Sequence, residues 1–104
     1  LSRLPPLPGA LQLFGCLWTV RLTTERSDGA LGCTFMERNR IDIDSTLALD
    51  VQWATLCHEV LHIVDFQLKL DLSEELISRL DTGLWEFIRQ VLEPRGPAGM
   101  ACDR

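Results

Sequence analysis

The chain has 104 residues, 46% of them hydrophobic and 24% charged, with a formal net charge of −5. That length supports one core, and the composition excludes wholesale disorder and fibrous architectures. The acidic balance, with no run of Lys or Arg, argues against a nucleic-acid partner, because phosphate binding needs a clustered basic surface.

No apolar run approaches the roughly 18 residues needed to span a bilayer, so a membrane partner is not expected. The N-terminal LSRLPPLPGALQLFG is apolar but broken by prolines and makes a poor secretory signal. A cytoplasmic location is the expectation. The cysteines, Cys16, Cys33, Cys57 and Cys102, form no CxxC pair and no zinc-ribbon spacing. A placement of Cys16 and Cys33 on neighbouring strands is open from the sequence but both are expected reduced, and Cys57 reads as a small buried hydrophobe.

Along the chain, residues 1–10, with Pro5, Pro6 and Pro8, read as an extended lead-in. Leu11 to Phe14 suggests a short strand and Gly15 a bend. CLWTVRLT then alternates, with Trp18, Val20 and Leu22 on one face. SDG at 27–29 is turn chemistry. Two more strands follow, Cys33 to Met36 and RIDID at 40–44; in the latter Ile41 and Ile43 are predicted to face in and Arg40, Asp42 and Asp44 out.

From Leu49 the period becomes helical and persists to Leu68, with Ser45 or Asp50 available as a cap. Trp53, Leu56, Cys57, Val60, Leu61, Ile63 and Val64 form its apolar arc, leaving Thr55, His58, Glu59, His62 and Asp65 in a polar sector. A second helix is predicted to start after Ser73, an N-cap, with Glu74 and Glu75 at the positive end of its dipole. Ile77, Leu80, Leu84, Phe87, Ile88 and Val91 repeat at helical spacing, and Pro94 ends it. Residues 94–104, rich in Pro and Gly, read as a flexible tail. The fold class is therefore α+β: a small twisted, mainly antiparallel sheet packed on two helices.

The chemistry concentrates in CHEVLH, residues 57–62, which holds both histidines of the chain. Residues four apart on a helix share a face, so His58 and His62 can aim their imidazoles at one point, as one Zn2+ ion requires. Glu59 is turned about 100° from His58, beside the metal but not on it. There it can act as general base toward a water that zinc acidifies, and later return the proton to a leaving amine. A catalytic zinc needs a third ligand. With no third histidine it has to be a carboxylate or a cysteine, and Glu74 and Glu75 follow His62 by 12 and 13 residues. Glu74 lies about 100° from the apolar face of its helix and Glu75 about 160°, which favours Glu74 as ligand and leaves Glu75 to the dipole. Asp65, on the stripe of His58 and His62, and Asp81, on the stripe of Glu74, are candidates to hydrogen-bond a ligand imidazole. The chain has no tyrosine, so either Arg38, Arg40 or Arg79 steadies an oxyanion in place of one or zinc alone has to serve.

A few strands, RIDID, a helix containing TLCHEVLHIVD and then LSEELISRLDTGL resemble the minimal gluzincin-type metallopeptidases, particularly the ImmA/IrrE-like and small phage-encoded members. Those families pair an HExxH helix with a helix that opens on a ligand glutamate followed by apolar residues three, six and ten positions on. Glu74, Ile77, Leu80 and Leu84 match that spacing, and Asp81 departs from the small residue usual there. The resemblance implies a zincin-like metallopeptidase domain over residues 11–93, with His58, His62 and Glu74 as ligands and Glu59 as base. It further implies an endopeptidase acting on a specific peptide or protein substrate laid along an edge strand. Arg40, Ile41, Asp42, Ile43 and Asp44 are the expected edge. The alternative is a zinc-stabilised protein-binding module with weak or no activity.

Overall fold

The computed structural model describes residues 3–24 and 29–93, which form one four-stranded mixed sheet and two helices, a small α+β domain. In chain order the elements are β1 (Ala10–Leu13), β2 (Cys16–Thr23), β3 (Gly32–Phe35), a 3₁₀ turn (Met36–Arg38), β4 (Arg40–Asp44), α1 (Leu49–Leu68) and α2 (Glu74–Leu92). None of the helices is long and apolar enough to cross a membrane among these residues. The tail at 94–104 and most of the SDG turn lie outside the described residues.

Phe14 and Gly15, with φ of 52° and 77°, form the two-residue link between β1 and β2. Two positive φ angles in succession match the strand twist, which is why so short a hairpin closes here. Within the lead-in Leu4 is buried, and the Trp53 indole N–H donates to the Pro5 carbonyl at 2.8 Å.

The strand order is β1-β2-β4-β3, with β2 and β4 parallel and the outer pairs antiparallel. This corrects two expectations. Arg40, Ile41, Asp42, Ile43 and Asp44 are not an edge, because β4 pairs with β2 on one side and β3 on the other and its backbone groups are used on both. Strand alternation reports the two faces of a strand and says nothing of its flanks. Cys16 and Cys33 are likewise not on neighbouring strands, since β4 separates β2 from β3, and both are free thiols.

Trp18 and Val20 of β2 and Ile41 and Ile43 of β4 project to one face and pack on Leu56 and Ile63 of α1, forming the core. Leu22 breaks the expected alternation and is exposed, whereas the next residue, Thr23, is buried. On the reverse face Asp42 does not reach solvent. The Arg21 guanidinium donates to it from the paired position on β2 at 2.8 and 3.2 Å, and Arg40 lies 3.0 Å away, so two cations cover one carboxylate.

Neither Ser45 nor Asp50 caps α1. Ala48 occupies that position with no side-chain bond, and Gln52 reaches back to the Leu47 carbonyl at 3.0 Å instead. The cap of α2 is as expected, with the Ser73 hydroxyl oxygen accepting from the Leu76 N–H.

β3 approaches α1 closely at Gly32. A Cβ there would meet Thr55 Cγ2 at 2.6 Å and Ile43 Cδ1 at 3.2 Å. Thr55 is buried and its hydroxyl donates to the Val51 carbonyl at 2.7 Å, so it has no inexpensive way to turn aside. Gly32→Ala is expected to lower the unfolding free energy by about 1–3 kcal/mol through overpacking, read as a reduced urea midpoint at unchanged m-value.

Candidate metal centre

The polar sector of α1 is largely enclosed. Thr55 and Glu59 are buried, and His58 and His62 are half-buried, because β3 and α2 close over this side of the helix. The turn after α1 makes that possible. Lys69 ends the helix in the left-handed conformation, and the Asp65 carboxylate accepts from the Leu72 N–H at 2.9 Å, pinning the connection that returns the chain as α2. Asp65 therefore fixes the loop rather than a ligand imidazole. It lies on the histidine stripe, but the backbone donor at Leu72 takes its oxygen.

The returning helix delivers Glu74 to the histidines. Glu74 Oε1 lies 2.6 Å from His58 Nε2, Glu74 Oε2 lies 3.1 Å from His62 Nε2, and the two Nε2 atoms are 3.2 Å apart. One donor atom from each residue falls within 4.8 Å of the others, so His58, His62 and Glu74 form a possible metal-binding triad. Two imidazole nitrogens and a carboxylate this close are joined either by protons on the imidazoles or by a shared cation. A tetrahedral ion with bonds of about 2.0–2.1 Å sets its ligand atoms roughly 3.3 Å apart, close to the 3.1 and 3.2 Å separations here and wider than the 2.6 Å between His58 and Glu74. Glu75 points elsewhere and pairs with Arg79 on the helix surface.

Asp81, two turns along α2 from Glu74, lies 2.5 Å from His58 Nδ1. A proton on Nδ1 shared with that carboxylate leaves the Nε2 lone pair directed at the triad, the tautomer a metal ligand needs. One face of α2 thus supplies both the carboxylate in the triad and the one behind it. Burial lowers the pKa of His58, but the hydrogen bonds to Asp81 and Glu74 and the charges of Glu74 and Glu59 outweigh it, and the net shift is upward from 6.5. The neighbouring thiol of Cys57 is pushed up to about 11, first by burial and then by the charge of Asp81, which keeps it protonated.

Glu59 turns away from the ligands toward β3, where Thr34 Oγ1 donates to its Oε1 at 2.7 Å. Thr34 is a site residue that sequence reasoning missed. It shares a strand face with Gly32, and the close approach that Gly32 allows brings its hydroxyl within reach of the carboxylate. No residue spacing links position 34 to position 59, so nothing in the sequence could have joined them.

Compared with protein-family models, with curated proteins and with solved structures, the chain finds no match in any of the three. The site rests on its own geometry.

Beside the triad a groove of about 680 Å³ runs between β3 and α1. Thr34, Glu59, His58, His62 and Glu74 line its polar side, and Leu31, Met36 and Val51 give it an apolar stretch. β3 stands at the end of the sheet order, so its outer flank has no strand partner among the described residues. None of the arginines considered from sequence lines the groove. Arg40 is committed to Asp42 on the other side of the sheet, Arg79 pairs with Glu75, and Arg38 stacks over the Phe35 ring.

Proposed function

We propose that the chain is a zinc-dependent endopeptidase of the gluzincin type, with a zincin-like fold, acting on an extended segment of a protein substrate. The observation that carries this reading is the convergence of His58, His62 and Glu74 with Glu59 beside them, all facing one open groove. A structural zinc site is closed by four protein ligands, whereas this donor set has three and opens on a cavity. Zinc held by the triad would supply a Lewis acid that polarises the scissile carbonyl and acidifies the attacking water.

The remaining work falls to the chain's own residues. Glu59 takes the proton from the attacking water and delivers it to the leaving amine. Thr34 holds the Glu59 carboxylate in one orientation, so that its second oxygen is presented to the water. Asp81 keeps His58 in the tautomer that leaves Nε2 unprotonated. The substrate edge passes from β4 to β3: its outer flank borders the groove, and an extended peptide can complete its backbone hydrogen bonds. Leu31, Met36 and Val51 would favour an apolar side chain on that peptide.

A second reading has one observation in its favour. Among the described residues the groove lining holds no arginine, lysine or tyrosine, so none of them offers a cation or phenol to an oxyanion. On that reading the domain is a zinc-stabilised protein-binding module. Digestion of a peptide library by zinc-loaded wild type and zinc-loaded Glu59→Gln separates the two. Products that depend on Glu59 support the peptidase, and identical product patterns from both proteins defeat it.

Thr34 gives a finer test. Thr34→Val keeps the shape of the side chain but removes the donor, and is expected to lower kcat about tenfold with little change in KM, because the interaction it loses orients the base rather than the substrate. Thr34→Ser should recover most of the loss. Steady-state kinetics of the three proteins at saturating zinc measures both.

A further inference from the structure

Among the described residues a stripe on α2 remains uncovered, on a different side of the helix from Glu74 and Asp81. Leu76, Leu80, Phe87 and Val91 are 45–63% exposed, a sharp contrast with buried Ile77 on the same helix. Leu76, Leu80, Gly83 and Phe87 follow one another at intervals of four, three and four residues, the spacing of a seam between two helices. Val91 extends that seam toward the C-terminal end of the helix. At 100° per residue, Glu74 and Asp81 sit about 120–140° round the helix from this stripe, so covering it would leave the groove open.

We propose that the stripe is a self-association surface, on which α2 of one copy packs antiparallel against α2 of a second. The occupant is identified by the self-complementarity of the stripe. With the helices antiparallel about a two-fold axis near residues 81 and 82, Leu76 meets the second copy's Phe87, and Leu80 meets its Gly83. A Cβ at Gly83 would have nothing within 4 Å, so there is open space above it to receive a leucine.

The same register places Arg79 beside the second copy's Glu86, and Glu86 beside its Arg79, on one flank of the seam. Each contact occurs twice, as a two-fold interface demands. The parallel alternative sets Gly83 on Gly83, leaving a hole, and puts Leu84 rather than an acid next to Arg79. Among the described residues of its own chain Arg79 pairs only with Glu75, both more than 70% exposed, and such a pair is too weak to compete with a partly shielded one. Four apolar side chains per copy make a short seam, smaller than the roughly 800 Å² per partner of a standard interface, so a dissociation constant on the order of 10–100 µM is expected.

The test is sedimentation equilibrium of the full chain from about 1 to 500 µM, a range that brackets such a constant. Wild type, Leu80→Glu, Arg79→Glu, Glu86→Arg and the double charge reversal are compared. Their far-UV circular dichroism is expected to be unchanged, since all three positions are exposed. Wild type should shift from monomer to dimer across the range, and Leu80→Glu should stay monomeric. Each single reversal sets like charges together twice and should raise the dissociation constant about tenfold, while the double reversal should return it to near the wild-type value. A wild-type chain that stays monomeric throughout, whatever else covers the stripe, overturns the proposal. So does a dimer indifferent to Leu80→Glu. Single reversals without effect, or a double reversal that fails to recover, overturn the antiparallel register.

Discussion

Glu59→Gln is expected to bind zinc as wild type does and to lose about 10²–10⁴-fold in peptide cleavage, the range a positioned general base contributes. The two side chains have nearly the same shape, and Thr34 Oγ1 at 2.7 Å can donate to the amide oxygen of glutamine as it does to the carboxylate. The substitution therefore leaves Glu59's buried surroundings filled and hydrogen-bonded, and removes only the capacity to accept a proton. The loss should fall on kcat and on kcat/KM alike, because the proton transfer belongs to the transition state and not to substrate binding. Zinc content by elemental analysis and cleavage rates on the same preparation check both halves. Undiminished cleavage by the variant would remove Glu59 from the chemistry. Zinc lost along with activity would mean that the carboxylate helps to hold the metal.

Removing the metal is the second large effect. With free zinc about 100-fold above its dissociation constant, binding to the folded state alone contributes about 2.7 kcal/mol, which for a domain of this size is roughly 10–20 °C in Tm. A chelator is expected to take that increment away and added zinc to restore it. His62→Ala should abolish the response, because it leaves two of the three converging donors. Glu74→Gln should weaken it strongly. Glu75→Gln should leave it intact, since Glu75 pairs with Arg79 outside the site. Asp81→Asn tests the residue behind His58 and is expected to weaken zinc binding about 10- to 100-fold without abolishing it.

The pH dependence of this centre carries opposite signs with and without metal. The His58 pKa is raised above 6.5 in the folded protein by Asp81 and Glu74. Without metal, the protonated imidazole therefore contributes stability below its ordinary value, and that contribution fades as pH rises through the raised pKa. Zinc competes with the same proton, so its affinity should increase as pH climbs through that window. Thermal melts with zinc or chelator between pH 5.5 and 8.5, about the span over which a histidine titrates, would display the crossover.

Much of the site was legible because it is local. His58, Glu59 and His62 lie within one turn of a helix whose period is plain from Leu49 to Leu68, and helix geometry alone fixes how they face. Glu74 was nearly as accessible, because Ser73 marks the start of α2 and only a short connection separates it from His62. Asp65 and Asp81 show where that reasoning stops. Both lie on the correct stripe of their helices, yet Asp81 took the imidazole and Asp65 a backbone N–H at Leu72, and the difference comes from the angle at which α2 returns.

The sequence by itself determined that this is a small α+β chain and that two histidines and a glutamate share one helix, because strand alternation and helical period are properties of neighbouring residues. Only the tertiary structure decided which strand is the edge, what holds Glu59, and that the polar side of α1 is enclosed. β4 lies inside the sheet because β2 pairs with it across an intervening strand, and Thr34 reaches Glu59 across 25 residues because Gly32 lets β3 settle against α1. Those are pairings between distant segments, and the alternation within each strand is the same whichever neighbour it finds.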